Sequence, residues 1–248
     1  MPVSRSDAAL FAETSYDMLG KKSKDKRVKK INKKIAKTGF EVDKQHSNRD
    51  VLTLYNPTTN EISISHRGTS PTRVKDLKAD LAIATGEQGK NKEFKKRTKL
   101  TEQALEAHPT AKAHGNGHSY GGNSIYHTVL SSEKARTRFE SVHTFNAGAS
   151  PLSSSAEKKA RADPETKKQV NKIVKHHRVD DDAVSASFLV NKPLGKVHTY
   201  KAKKEHTEGI KQTNVNKANN PLKADAGTAL HAHGLMHFYN KDQYHNEE

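Results

Sequence analysis

Six residues near the middle of the chain, Gly117-His118-Ser119-Tyr120-Gly121-Gly122, restrict the fold more than any other stretch. A serine with glycine two residues to either side is the pattern of a tight strand-to-helix turn, where larger neighbours would crowd the backbone. Such a turn holds the Ser119 hydroxyl exposed at the top of a sheet, and the first amides of the following helix favour negative charge beside it. The preceding AKAHGN carries few of the β-branched residues usual in strands. A flexible glycine-rich loop is the competing reading of the same letters.

The elements around this turn alternate. Apolar positions Leu10, Phe11 and Met18 predict a first helix over residues 7–19. Residues 21–37 are dominated by Lys and Arg but repeat Val28, Ile31 and Ile35 at helical spacing. That pattern is a basic surface helix with one thin apolar seam. Residues 51–55 and 61–66 alternate as strands around the turn-forming NPTTN, which predicts a hairpin. Leu77, Leu81 and Ile83 mark a short helix or turn, and Leu100, Ala104 and Leu105 a helix over 98–108 that Pro109 stops. Beyond Gly121 the expectation is a helix, a strand over 141–146, a weakly periodic helix around 156–174 and a strand near Arg178. Strand and helix in alternation favour an α/β fold with a largely parallel sheet, although the strands are poor in Val and Ile for buried parallel ones. Residues 201–226 read as polar and irregular, and the whole of 1–248 as a single domain.

Composition narrows the chemistry. The chain has no cysteine, which excludes disulfides, thiolate metal sites and a cysteine nucleophile. A formal net charge of +16 draws it toward phosphate-rich partners, nucleic acid or an anionic membrane surface. No apolar run approaches the roughly 18 residues of a membrane span, and the N-terminus lacks a signal-peptide pattern. The expectation is a soluble, intracellular or virion-associated protein.

Four blocks in one order carry a family resemblance. Gly117-His118-Ser119-Tyr120-Gly121-Gly122 resembles the G-H-S-L-G-G of the class 3 lipases, within the α/β-hydrolase superfamily. Upstream, Ile64-Ser65-His66-Arg67-Gly68-Thr69 resembles the family's strand ending in F-R-G-T, and Asp76-Leu77-Lys78-Ala79-Asp80-Leu81 its D-W-x-x-D-L. Downstream, His143-Thr144-Phe145-Asn146-Ala147-Gly148-Ala149-Ser150-Pro151 resembles T-F-G-x-P, with Asn146 where the family has glycine. The implied fold is α/β-hydrolase-like, with a largely parallel central sheet flanked by helices.

The resemblance also implies a site. A serine hydroxyl needs a base, and the base a carboxylate, in the chain order Ser, acid, His. Asp182 lines up with the acid of D-x-V-P, with Ser185 in place of proline and with Asp180 and Asp181 as neighbours that could serve instead. His233 lines up with the base in A-H-S-x-x-x-Y, with His231 and His237 as rivals. The H-x-H and i, i+4 spacings of these three also suit a zinc site. The amides of Tyr120 and Thr69 are the implied oxyanion donors, while Arg67 anchors the end of its strand. No cofactor is required. The implied substrate is a lipid ester, a phospholipid or acylglycerol; the basic region 86–99, in which Phe94 is the one large apolar residue, replaces a greasy lid and suits an anionic head group. The rival reading is a catalytically silent basic scaffold or packaging component that contacts nucleic-acid phosphates through residues 21–37 and 90–99.

Overall fold

The computed structural model describes residues 3–19, 22–69, 83, 85–148, 152–180, 182, 185, 191–201, 235 and 238. They form a seven-stranded sheet whose spatial order follows the chain: β1 (Glu41–Val42), β2 (Val51–Asn56), β3 (Glu61–His66), β4 (Lys112–His118), β5 (Phe139–Phe145), β6 (Val174–Val179) and β7 (Lys196–Tyr200). β1, β2 and β3 pair antiparallel, the last two as the hairpin expected around NPTTN, and β3 to β7 pair parallel. This mostly parallel sheet, flanked by helices, is the α/β-hydrolase-like arrangement expected from the sequence.

Parallel neighbours joined by right-handed crossovers in unbroken order must place their helices on one face. α3 (Lys92–Ala107), α4 (Tyr120–Ser131), α5 (Glu133–Arg138), α6 (Ser155–Ala162) and α7 (Pro164–Ile173) lie there. They bury Ala104, Leu105, Ile125, Val129, Val170 and Ile173 against Ile62, Ile64, Ala113, Val142 and Val174. Asp163, which caps α7 through Glu165 and Thr166, breaks the weakly periodic stretch into two helices. α1 (Arg5–Thr14) and α2 (Lys24–Ile35) cover the opposite face. α2 is the basic helix with a seam: Ile31 and Ile35 are buried, and Val28 packs partly against the same cluster.

The face under α1 explains the scarcity of Val and Ile in the strands. Ser63, Ser65, His114, Asn116, Ser141, His143 and His177 are buried polar residues. They bond to one another across the strands. Asn116 accepts from Ser65 and donates through Nδ2 to Ser63 Oγ at 2.8 Å. His114 Nδ1 lies 2.9 Å from Ser141 Oγ, and His143 Nδ1 lies 3.0 Å from His177 Nε2, whose Nδ1 meets the Tyr200 hydroxyl at 3.0 Å. Buried polar groups are tolerated when partnered, and a connected network specifies register as an apolar surface would not. Ala8, Ala9 and Ala12 of α1 are small and buried above this layer.

α3 begins earlier than Leu100, Ala104 and Leu105 suggested. Asn91 caps it by accepting from Glu93, and Phe94 packs edge-on to Tyr120 and His127. Much of the region expected to replace a lid is thus the first half of a core helix. The short element expected around Leu77 and Leu81, and the polar stretch 202–226, lie outside the described residues. β7 was not anticipated, because its KVHTY is only partly covered.

Candidate active site

Ser119 stands between the last residue of β4 and the first of α4, at φ 56° and ψ −129°. Few non-glycine residues occupy such a conformation, and where one does, the surroundings over-determine it. Both glycines are required here by contact. A Cβ on Gly117 would lie 2.4 Å from the Gly121 oxygen, and one on Gly121 would lie 2.1 Å from the His66 oxygen. The serine's backbone is pinned to the neighbouring strand: its N–H donates to the Phe145 carbonyl at 3.0 Å, and its carbonyl accepts from Gly148 at 3.1 Å. Its side chain is half-buried and does not cap α4. The sequence feature that suggested a tight strand-to-helix turn is such a turn.

The departure at Asn146 has a local cause. Asn146 sits at φ 41°, in the left-handed region that asparagine tolerates better than most residues. Its side-chain oxygen accepts from the Val179 N–H at 2.9 Å and its own N–H donates to His177 at 2.8 Å. Asparagine therefore takes the turn that glycine would take, and also ties the ends of β5 and β6 together.

Thr69 lies three residues beyond the end of β3, the strand next to β4. His66 pairs with Gly117 in parallel register, which carries the Arg67-Gly68-Thr69 segment alongside His118 and Ser119. Gly68 lies so close that a Cβ there would come 2.9 Å from the His118 carbonyl oxygen and into the Tyr16 hydroxyl, which itself bonds His118 Nδ1 at 2.9 Å. Arg67 anchors the strand end: Nε donates to the Arg49 carbonyl at 2.7 Å, and the guanidinium is 3.5 Å from Asp50. A second buried guanidinium, Arg97, donates to the Arg67 carbonyl at 2.5 Å and covers the Tyr120 ring with Cζ 4.4 Å from its centroid. Tyr120 is the first residue of α4, directly after Ser119.

Past β6, Asp182 is buried whereas Asp180 is exposed. One Asp182 carboxylate oxygen accepts from the Ser185 N–H at 3.0 Å, and Arg178 Nε reaches Ser185 Oγ at 3.4 Å. Proline at 185 would have no N–H to donate, so the departure from the family pattern adds a bond to the carboxylate. Asp181, His231, His233 and His237 lie outside the described residues. Two residues near the last three are described. Leu235 and Phe238 are buried in the cluster that contains Phe145 and Val179, and the Phe238 and Phe145 ring centroids are 5.1 Å apart.

Sequence reasoning missed the two-guanidinium support around Asp50 and the contact of Tyr16 with His118. Neither has a local signature, because Asp50, Arg67 and Arg97, like Tyr16 and His118, meet only once the chain is folded. It also missed His66, which stands where the class 3 lipase motif it resembles has phenylalanine. That ring is fully buried and bonds Ser124 at 2.9 Å and Thr101 at 2.8 Å, so burial holds it neutral.

Fold and site together define an α/β protein with a strained serine turn between a parallel strand and a helix. The chain belongs to the family described as Domain of unknown function (DUF6792), which matches residues 21–240. No curated protein matches it in sequence. Among solved structures it is similar to the Rhizomucor miehei lipase–propeptide complex, with a TM-score of 0.39 and 12% identity over 72% of this chain and 60% of that one. It is also similar to a fungal lipase (TM-score 0.43, 13% identity, 80% and 79% covered) and to a triacylglycerol lipase from Penicillium expansum (0.40, 15%, 80% and 82%). The chain thus spans about 60% of the length of the Rhizomucor protein. Among the described residues no helix is long and apolar enough to cross a membrane.

Proposed function

We propose that the protein is a serine-dependent carboxylic ester hydrolase acting on lipid esters, with Ser119 as nucleophile, His233 as base and Asp182 as the carboxylate that orients the base. The observation that carries this reading is Ser119 at φ 56° between two obligatory glycines. Strain of this kind persists where function uses it, and here it presents a hydroxyl at a helix N-terminus. Ser119 Oγ attacks the ester carbonyl while His233 takes its proton and passes it to the leaving alcohol. His233 then activates water to release the acid from the acyl-enzyme. The oxyanion is met by the amides of Tyr120 and Thr69, whose segments run side by side.

Asp182 is favoured over Asp180 by its burial, because a carboxylate that steadies an imidazolium acts most strongly away from water. His233 is taken as the base because it lines up with the histidine of A-H-S-x-x-x-Y; Leu235 and Phe238, close to it in sequence, pack with Phe145 and Val179, at the strand ends next to Ser119 and Asp182, which supports a base from this part of the chain. Phospholipid is the preferred class over neutral acylglycerol, since the chain is strongly basic.

The test compares wild type with Ser119→Ala on short-chain p-nitrophenyl esters and on anionic phospholipid vesicles. Hydrolysis by wild type with a loss of at least about 10³-fold in the variant is expected. Equal rates, or none above buffer, would remove the enzyme reading and leave the basic scaffold.

A further inference from the structure

Far from the serine turn, at the antiparallel edge of the sheet, three side chains from two segments converge. Asp43 follows β1, His46 lies in the turn after it, and His108 ends α3. One carboxylate oxygen, Asp43 Oδ2, lies 2.6 Å from His46 Nδ1 and 2.9 Å from His108 Nε2. The three donor atoms all lie within 4.8 Å of one another. All three residues are partly exposed, and Glu41, Gln45 and Tyr55 line the cleft around them.

The frame that aims them is rigid. Asp43 Oδ1 accepts from the N–H groups of Gln45 at 3.0 Å and His46 at 3.1 Å, which leaves Oδ2 for the two rings. Asp43 N–H is tied to the Thr53 carbonyl at 2.9 Å, and Thr53 Oγ1 donates to the His46 carbonyl at 3.1 Å. The His108 carbonyl accepts from Arg138 at 2.9 Å, and its ring packs on Tyr55 with centroids 4.7 Å apart.

We propose that Asp43, His46 and His108 bind a divalent transition-metal ion of the zinc type, with water completing its coordination. Two imidazoles and a carboxylate are a donor set that suits zinc, at metal–ligand distances of roughly 2.0–2.2 Å. Donors at the corners of such a tetrahedron are about 3.3 Å apart, so the two Asp43–histidine contacts need to open by roughly 0.7 and 0.4 Å, and the two ring nitrogens, within 4.8 Å of each other, to close by at most about 1.5 Å. The Asp43 turn bonds would serve as the outer shell that orients a ligating carboxylate. Bound there, the ion clamps the turn after β1 onto the end of α3, joining the antiparallel edge to the helical layer. Nothing in the proposed hydrolysis uses it.

The test loads chelator-treated full-length protein with Co²⁺ and then Zn²⁺. Wild type should take up a single equivalent of Co²⁺ with the visible absorption of a four-coordinate ion, lose that absorption to Zn²⁺, and unfold at a higher temperature with Zn²⁺ present. His46→Gln and His108→Gln should each weaken binding by more than the about 10–100-fold typical of outer-shell changes. His233→Gln should bind as wild type, which separates this site from the C-terminal histidines. Should a histidine variant fail to fold, Asp43→Asn decides in its place, because an asparagine keeps the turn acceptor and loses the charge. No saturable uptake by wild type, unchanged binding in the Asp43, His46 or His108 variants, or loss of binding in His233→Gln would each overturn the proposal.

Discussion

Replacing Ser119 by glycine should leave the protein more stable than replacing it by alanine, the reverse of the ordinary order. At most positions glycine is the worse residue by about 0.5–1 kcal/mol, because it frees the unfolded chain. Ser119, however, sits at φ 56° and ψ −129°, a conformation that costs a residue with a Cβ on the order of 1–3 kcal/mol. Alanine keeps that strain and glycine releases it. The expected difference in favour of Ser119→Gly is therefore about 1 kcal/mol, with an upper bound near 2.5 kcal/mol. For a chain of this length that corresponds to roughly 2–4 °C in unfolding midpoint per kcal/mol. The assay is urea and thermal unfolding of both variants, with Lys29→Ala and Lys29→Gly on the exposed side of α2 as the ordinary reference. If Ser119→Gly is less stable than Ser119→Ala by the same margin as the Lys29 pair, the turn is not strained and the argument for a presented nucleophile fails.

Three further outcomes follow from the same geometry. Burial lowers His127 and His176 to about 4 and His143 to about 3, so these rings are neutral when folded and charged when unfolded below about pH 6.5. The unfolded state then binds more protons, and stability should fall as pH drops from about 6.5 toward 4, by up to about 1.4 kcal/mol per pH unit for each ring; a flat urea midpoint between pH 7 and 5 would refute this. Gly121→Ala drives a Cβ into the His66 and Arg67 backbone, where no side chain can yield, and should prevent recovery of soluble folded protein; a midpoint within 2 °C of wild type would contradict it. Asp50→Asn removes the carboxylate 3.5 Å from Arg67, 4.0 Å from Arg97 and 2.7 Å from Lys96. Because both guanidiniums are buried, the expected loss is about 3 kcal/mol by denaturant titration, and less than about 1 kcal/mol would show the cluster to be dispensable.

Local patterns in the sequence determined a good deal. Glycines two residues to either side of Ser119 marked a tight turn, the NPTTN hairpin follows from turn chemistry, and the Val28, Ile31 and Ile35 seam sets the face of α2. Those signals are short-range, so a linear reading recovers them. Tertiary structure alone decided the rest. The strands are poor in Val and Ile for buried parallel ones, yet they are buried because Ser63, His114, Asn116, His143 and His177 find their partners on adjacent strands, a pairing that exists only once register is set. Phe94 looked like the lone apolar residue of a basic segment, yet it lies in the core because Tyr120 and His127 close over it. Asp43, His46 and His108 are spaced too irregularly to form a motif, and they become a cluster because β1 and the end of α3 meet at one edge of the sheet. Turns and periodic faces are fixed by neighbours in sequence, whereas burial of polar groups and convergence of ligands depend on which distant segments the sheet order brings together.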